Sequence, residues 1–437
     1  MNTYASLQKS DAIAHVCTAS SVAESFERFE QHRGLLADCK FVFAATRGGI
    51  PGLAVNRTFA KGAAVRSLFS TERVLVLDIE TLEEMRCSGS STYPIDFSIS
   101  LDTQALSYLE PYLNNRDVPA DFHEVFAFIA HPNTHVDPIP YRFENLFNLT
   151  GDAIKDWPIF NKLKAYEILR TLDQAALKGG HVCSLLSEAE LIKTAQEHIA
   201  SMYSERENTR FFSELRDAQT LYYCLLLKMG VIHLKNPRRA VNEKLFEFAD
   251  FCDQRLATMC TRELVIARTY FEHGQGMKFF KKIMIRGANL LEEFNRMAWD
   301  LWHVRWLELA MSLNISPERR YFFQAFLTFD VALIEIMGLF PLKACAFVKG
   351  EGAGIPFFDG DLKERLLDDE MQRLSFEERF YSQKAVFQRE SIRETAIAKV
   401  HALAEELEHE FCGIAGVAWA PQPRRGGAPK ASEPITD

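Results

Sequence analysis

The spacing of apolar residues divides the chain into segments with different predicted structure. Residues 1–35 have the spacing of helices. Between residues 36 and 100, short apolar runs such as KFVFAAT (40–46) and RVLVLDI (73–79) alternate with glycine and serine, a pattern typical of strands. From residue 104 to residue 260, apolar side chains recur every three to four positions, which predicts a mainly helical segment.

Helices and strands alternate again between residues 261 and 350. The pattern predicts a helix from Thr261, a second helix over residues 289–314, a strand over YFFQAFLTFD (321–330), a short helix, and a strand over KACAFVK (343–349). This order of elements is typical of a parallel sheet in an α/β layer fold. One or two charged amphipathic helices are predicted to follow.

The composition is that of a soluble globular protein. The 437 residues are 47% hydrophobic and 25% charged, enough for two or three domains or for one domain with a large insertion. Nine cysteines without a C-x-x-C pair argue against a disulfide framework and a structural zinc site, and they fit a reducing cytoplasm. No signal peptide and no apolar run of about 20 residues is present, so we expect a cytoplasmic protein without membrane contacts.

Four acidic residues stand at positions where a site could form. Asp102 ends the apolar run FSISL, Glu263 lies at a predicted helix start, Asp300 lies within a helix beside tryptophans, and Asp330 ends a predicted strand. Ligands bind outside the carboxyl ends of the strands in an open parallel sheet, which suits both strand-end acids. Converging carboxylates repel one another, and Mg²⁺ or Mn²⁺ relieves that repulsion and activates water for attack on phosphate.

Each acid also has a simpler interpretation. Asp102 and Asp330 could each cap the helix that follows. Glu263 could complement the dipole of its helix from the first turn. Asp300 could pair along its helix with Arg296 or His303. The ordered set of four therefore carries more weight than any one member.

The segments around these acids resemble PIN-domain nucleases. SLDTQALSYL (100–109) resembles the family's opening strand and Asp-Thr motif, and TRELVIARTYF (261–271) resembles its second acidic segment. AWDLWHVRWLELAMSLN (298–314), followed by LTFDVAL (327–333), is similar to the closing pair, a helical Asp before a strand that ends in Thr-x-Asp.

The resemblance implies metal-dependent phosphodiester hydrolysis, usually of RNA, in a PIN-like parallel sheet flanked by helices. It implies that the acids bind Mg²⁺ or Mn²⁺ and are catalytic, namely Asp102, Glu263, Asp300 and Asp330. Thr103 and Thr328 are implied to orient the site, with His303 as a further neighbour. The cleavage products would be 3′-hydroxyl and 5′-phosphate ends.

The chain departs from the family pattern in three ways. The gap between the first two acids is 161 residues, whereas small PIN domains place the second acid a few tens of residues after the first. The family's asparagine after Asp-Thr is replaced by Gln104. Asp78 also ends a predicted strand and is an alternative first acid.

The long gap predicts a helical insertion within the nuclease core. The predicted organisation is an N-terminal mixed region (1–96), a PIN-like core (97–110 and 258–350), a helical insertion (111–257), C-terminal helices (351–418) and a disordered tail (419–437). A tail rich in proline, glycine and small polar residues cannot bury enough apolar surface to fold.

Basic residues near the second acid are candidates for phosphate contacts. Residues 262–286 carry six basic and two acidic side chains in a chain of net charge −9, with interleaved Tyr and Phe residues. The candidates in this stretch are Arg262, Arg268, Lys281 and Lys282. Arg305 is a further candidate, because residues 300, 303 and 304 share a helical face that could bring His303 and Arg305 near the site. The alternative is a solvated basic face over core phenylalanines. HPNTHVDP, with His131, His135 and Asp137, resembles a loose metal cluster but fits no zinc spacing.

Three functions follow from these observations. The leading prediction is a metal-dependent nuclease that acts on nucleic acid, with RNA as the expected substrate. The second is a catalytically inactive PIN-like scaffold whose helical insertion contacts a protein partner. The third, supported only by the habits of the family, is a toxin or phage-defence effector held off by a partner.

Overall fold

The N-terminal part of the chain alternates short helices with strands. The computed structural model describes residues 3–46, 56–89, 95–283, 289–313, 321–351 and 354–419. The first elements are α1 (Thr3–Cys17), α2 (Val22–Gln31), β1 (Cys39–Ala45), β2 (Asn56–Thr58), β3 (Ala64–Ser67), β4 (Arg73–Leu77), α3 (Ile79–Ser88) and β5 (Ile95–Leu101). The predicted helical start and the strand-rich segment after it are confirmed.

The segment that follows β5 is mainly helical, as predicted. Its elements are α4 (Thr103–Ser107), α5 (Leu109–Leu113), α6 (Phe122–Ile129), β6 (Val136–Asp137), α7 (Ile139–Leu146), α8 (Ala153–Arg170), α9 (Gln174–Lys178), α10 (Glu188–Glu207), α11 (Thr209–Lys235) and α12 (Val241–Gln254). The proline-rich stretch before α7 does not exclude a helix, because Pro140 occupies its first turn, where a backbone N–H has no helical partner.

The C-terminal part contains the remaining strands and seven α-helices among the described residues. They are α13 (Thr261–His273), two 3₁₀ helices (Gly274–Gly276 and Lys278–Lys282), α14 (Leu290–Leu313), β7 (Tyr321–Thr328), α15 (Val331–Leu339), β8 (Leu342–Val348), β9 (Ile355–Phe358), α16 (Leu362–Leu366), α17 (Glu370–Tyr381), α18 (Gln383–Ala398) and α19 (Val400–Ala415). Four C-terminal helices thus replace the one or two predicted. The predicted disordered tail lies outside the described residues from position 420 onward.

The strands form two sheets in a mixed α/β protein. One sheet has the order β4-β1-β8-β9 and is antiparallel throughout. The other has the order β2-β3-β7-β5-β6, in which β5 runs parallel to both β7 and β6 while β3 runs antiparallel to β7. Strands from the first 101 residues therefore pair directly with strands from beyond residue 320.

The expectation that β7 and β8 share one parallel sheet is wrong. Both sides of β7 are occupied by strands from the N-terminal part, β3 and β5. After α15 the chain enters the other sheet, where β8 pairs between β1 and β9. The helix–strand alternation indicated the elements correctly, but the pairing partners come from distant sequence.

The central strand of the second sheet fixes the position of the candidate site. Along β7, seven of the eight residues are buried, as expected for a strand covered on both faces. One cover is α14, which packs on β7 and α11. A smaller separate core lies between the first two helices and the first sheet, around Val16, Phe29 and Phe41. No helix within the described ranges is long and apolar enough to cross a bilayer.

Candidate functional site

The parallel pairing of β5 and β7 brings two of the four predicted acids to one edge of the sheet. Leu101 lies opposite Leu327, and both strands end within one residue of this pair. The backbone N–H of Asp102 continues the ladder by donating to the carbonyl of Leu327 at 3.0 Å. Asp102 and the Thr328–Asp330 segment consequently leave the sheet side by side at its carboxyl end.

Asp102 is a buried carboxylate that caps α4. Its side chain accepts a hydrogen bond from the backbone N–H of Ala105 and is only 8% exposed. Burial raises the pKa of Asp102 to about 6. The Thr328 hydroxyl and the N–H groups of Ala105 and Phe329 oppose this rise by hydrogen bonding, whereas the negative charge of Glu144 adds to it.

Asp330 caps α15 and is linked to Asp102 through Thr328. Its carboxylate accepts from the N–H groups of Ala332 and Leu333 at 2.8 and 3.2 Å. The backbone N–H of Asp330 donates to the Thr328 hydroxyl oxygen at 3.0 Å, and that hydroxyl hydrogen-bonds the Asp102 carboxylate. The capping interpretation of both acids is confirmed, and Thr328 links the Asp102 carboxylate to the backbone of Asp330.

Glu144 on α7 is the acid that the sequence interpretation missed. It raises the pKa of Asp102, and its Oε1 lies 2.8 Å from Nε2 of His303. His303 is buried on α14, and its ring centre is 6.0 Å from that of Phe326 on β7. His303 is thus the hydrogen-bond partner of Glu144, whose negative charge acts on Asp102, and its supporting role stays a prediction. We call Asp102, Thr103, Glu144, His303, Thr328 and Asp330 the sheet-edge site.

Asp300 lies on α14, one turn before His303 and on the same helix face. The helix packs on β7, and the ring of His303 is close to that of Phe326 on this strand. The metal-binding role of Asp300 stays a prediction.

A buried hydroxyl in the sheet-edge site makes no hydrogen bond within the protein. Thr103 Oγ1 is buried without a partner, directly after Asp102. Buried polar atoms are nearly always paired with protein or with an ordered water or ion. Carboxylate oxygens and water are the ligands that Mg²⁺ and Mn²⁺ prefer. The described part of this edge supplies carboxylates, and metal binding here stays a prediction.

Glu263 lies elsewhere, in a cavity of about 410 Å³ between α11, α13, α14 and β9. The neighbours that act on its pKa are Arg262, Arg305 and Glu308, none of which acts on the pKa of Asp102. Burial raises the pKa of Glu263 to about 7, the two arginines lower it, and Glu308 raises it. We call this space the α13 cavity. The metal-binding role of Glu263 stays a prediction.

The basic residues of 262–286 do not share one helix. α13 ends at His273, the three lysines that follow lie on the 3₁₀ helix Lys278–Lys282, and Arg286 is outside the described residues. The guanidinium of Arg262 is buried and donates to the Phe340 carbonyl at 2.9 Å and to Glu308 at 3.0 Å. A buried, paired arginine is a structural element of the cavity wall, so its expected contact with substrate phosphate is not supported.

The other predicted phosphate contacts are mostly engaged within the chain. Arg268 donates to the Leu366 carbonyl at 3.1 Å and to Asp368 at 3.3 Å. Arg305 donates to Glu308. Lys281 is exposed, and Lys282 lies on the same 3₁₀ helix.

The remaining metal candidates have structural partners. Asp78 ends β4 in the other sheet, forms a capping box with Thr81 and accepts from the Tyr321 hydroxyl at 2.6 Å. Asp137 on β6 accepts from the Ser100 hydroxyl at 2.9 Å and from the Gln324 amide at 3.0 Å. Across the described ranges, no group of three or more His, Cys, Asp or Glu side chains is already arranged to hold a metal ion.

Comparison with known proteins gives no relative for this chain. No protein-family model matches it, and neither a curated protein nor a solved structure matches it.

Proposed function

We propose that this chain is a divalent-metal-dependent nuclease that hydrolyses phosphodiester bonds, with RNA as the expected substrate, at the sheet-edge site. One observation carries the proposal: the register of β5 and β7 joins the two strand-end acids, Asp102 and Asp330, through the hydroxyl of Thr328. This is the edge of the sheet at which open α/β folds bind their ligands.

The residues that would hold Mg²⁺ or Mn²⁺ are Asp102 and Asp330, with Asp300 and Glu144 as neighbouring acids. When bound, the metal supplies Lewis-acid activation of water and of the scissile phosphate. Glu144 follows Asp102 by 42 residues, which agrees better with the spacing of small PIN domains than Glu263 does. On this assignment Glu144 takes the place of the second acid.

The other side chains of the site keep the acids in place. Thr328 donates to Asp102 and accepts from the backbone of Asp330, so it holds the Asp102 carboxylate next to the segment that carries Asp330. His303 restrains Glu144, which would otherwise turn away from the negative charge of Asp102. The unpaired hydroxyl of Thr103 is available to orient a water molecule that lies against Asp102.

The test is cleavage of labelled single-stranded RNA and DNA by the full chain in Mg²⁺ or Mn²⁺. We expect metal-dependent RNA cleavage that falls at least about a hundredfold in Asp102→Asn and Asp330→Asn, because the lost charge is the one that holds the metal. Asparagine caps a helix about as well as aspartate, so neither variant should melt more than a few degrees below the wild type.

Asp173→Asn is the matched control. Asp173 caps α9 by accepting from the N–H groups two and three residues later, the same pattern as Asp330. This variant should cleave like the wild type. Absence of metal-dependent cleavage in the wild type, or wild-type rates in both edge variants, would overturn the proposal.

A second candidate function is a scaffold that uses the helical segment to contact a protein. It is favoured by two large apolar side chains at the start of α8: Ile154 is 85% exposed and Trp157 is 57% exposed. Thermal denaturation with and without Mn²⁺ distinguishes the two functions. A nuclease site should gain thermal stability in Mn²⁺ through Asp330, whereas a scaffold should gain none.

A further inference from the structure

The α13 cavity has the features of a binding site that the proposed nuclease reaction does not use. Its aromatic walls come from three different elements, Tyr222 on α11, Trp302 on α14 and Phe358 on β9. A cavity of about 410 Å³ lies within the size range of pockets that hold small organic ligands. Apolar walls with a few polar groups between them are typical of such pockets.

The start of α13 opens into this cavity without a side-chain cap. The N-cap residue Cys260 makes no capping hydrogen bond, and the first helical hydrogen bond runs from the Leu264 N–H to the Cys260 carbonyl at 2.9 Å. Cys260, Thr261, Arg262 and Glu263 all line the cavity. The Glu263 carboxylate accepts from its own backbone N–H, and the other amides of the first turn, together with the helix dipole, favour a negatively charged group.

The ion pairs in the wall leave one positive charge in excess. The single carboxylate of Glu308 accepts from Arg262 and also from Arg305. Two guanidinium groups therefore share one counter-ion, and the side chain of Arg305 remains 41% exposed. The remaining acid, Glu263, is 6% exposed, and burial disfavours its charged form. An incoming anion would complete the charge balance.

A further hydrogen-bond donor in the wall has no partner. Trp302 is only 8% exposed, and its indole Nε1 makes no hydrogen bond within the protein. Tryptophan N–H groups usually find an acceptor when they are buried. Because the Nε1 atom itself is buried, this unpaired donor does not open into the cavity, and Trp302 contributes to the site as an aromatic wall.

We propose that the α13 cavity binds a small organic anion, a carboxylate or phosphate group carried on a planar apolar body. The anionic group would lie at the start of α13 beside Arg305, and the planar body would pack between Tyr222, Trp302 and Phe358. The site is separate from the sheet-edge site, and the proposal does not depend on nuclease activity.

Titration calorimetry on the full chain at pH 6 tests the proposal with three probes of similar shape. Benzoate and phenyl phosphate present the two anionic groups, and benzamide is the neutral control. We expect at least one anion to bind, at least about tenfold more tightly than benzamide, because only an anion satisfies the excess guanidinium. The anion that binds identifies the class of ligand, carboxylate or phosphate.

Arg305→Met keeps the aliphatic stem and removes the charge, so it should weaken anion binding about tenfold or more. Arg296→Met is the matched control on the same helix, since Arg296 is exposed and pairs with Glu292 and Glu293. It should leave binding unchanged. If Arg305→Met does not fold, the contrast between anion and benzamide on the wild type decides alone. Binding of neither anion, or equal binding of benzamide, would overturn the proposal.

Discussion

The sheet-edge site and the α13 cavity each contain one deeply buried carboxylate, yet the two carboxylates have opposite surroundings. Burial raises the pKa of Asp102 to about 6 and that of Glu263 to about 7. Around Asp102 the neighbouring groups are a hydroxyl, backbone amides and the carboxylate of Glu144. Around Glu263 they include two arginines, Arg262 and Arg305.

This difference shows that a buried acid does not by itself define the charge of a ligand. The sheet-edge site collects negative charge and hydroxyl oxygens, which favours a cation. The α13 cavity has one excess guanidinium and a helix start, which favours an anion. The sequence suggested one metal site for both acids, because Arg305 reaches Glu263 only on folding and the adjacent Arg262 was interpreted as a phosphate contact.

The largest expected effect is on the rate of RNA cleavage, and it distinguishes Glu144 in the sheet-edge site from Glu263 in the α13 cavity. Glu144→Gln should lower metal-dependent RNA cleavage several hundredfold, because it removes a negative charge beside Asp102 while the amide can still accept from His303. Glu263→Gln, the same chemical change in the α13 cavity, should keep the cleavage rate within about twofold. Both variants are measured at the same metal concentration. If they lose cleavage activity equally, Glu263 belongs to the catalytic residues and the two sites do not differ as proposed.

The next effect is on stability and concerns Asp102 alone. Its pKa is raised from 3.8 to about 6 on folding, so its contribution to stability is fully present below pH 4 and is lost as the pH rises through 6. Asp102→Asn removes the cost of the buried charge, and the free energy of unfolding should rise by up to about 3 kcal/mol at pH 8 and by roughly half as much at pH 5.

Urea denaturation at the two pH values measures this difference. Asp173→Asn serves as the control, since it caps α9 in the same way but is partly exposed, and its effect should be small at both values. If the gain in unfolding free energy of Asp102→Asn is no larger at pH 8 than at pH 5, burial does not destabilise the charged form of Asp102.

Part of the sheet-edge site could be predicted because it is local in sequence. An apolar run that ends in Asp before a helical pattern specifies both the strand end and the cap, as found for Asp102 and Asp330. Thr328 could be predicted in the same way, because it lies at the end of the strand that precedes Asp330. Their proximity, however, requires β5 to pair with β7, more than 200 residues away, and only an assumed parallel sheet suggested it.

The rest of the site depends on packing that leaves little trace in the sequence. Glu144 is one of many acids on helices, and nothing in its local pattern shows that α7 delivers it to Asp102 and His303. Arg262 was expected to contact phosphate because of its charge, yet it lies buried against Glu308. The pairing of β8 with β1 was missed for a similar reason, because an apolar strand pattern does not specify its neighbours.

The smallest expected effect is a pH dependence that distinguishes the two sites by sign. Anion binding in the α13 cavity favours protonated Glu263, whose charged neighbours are Arg262, Arg305 and Glu308, with Tyr222 and Cys260 alongside. Because the pKa of Glu263 is about 7, benzoate, whose own charge does not change in this range, should bind about tenfold more weakly at pH 8 than at pH 6.

In Glu263→Gln the affinity for the anion should stay high at both pH values, because no charge develops in the cavity. Thermal stabilisation by Mn²⁺ should instead strengthen between pH 5 and pH 7, since Asp102 must lose its proton to attract a cation. Rising pH should thus weaken binding of the organic anion and strengthen binding of Mn²⁺. Opposite trends are expected only if the neighbours of each buried acid, and not its burial, determine the charge of the ligand. Parallel trends would mean that the two sites respond to one shared change in the fold.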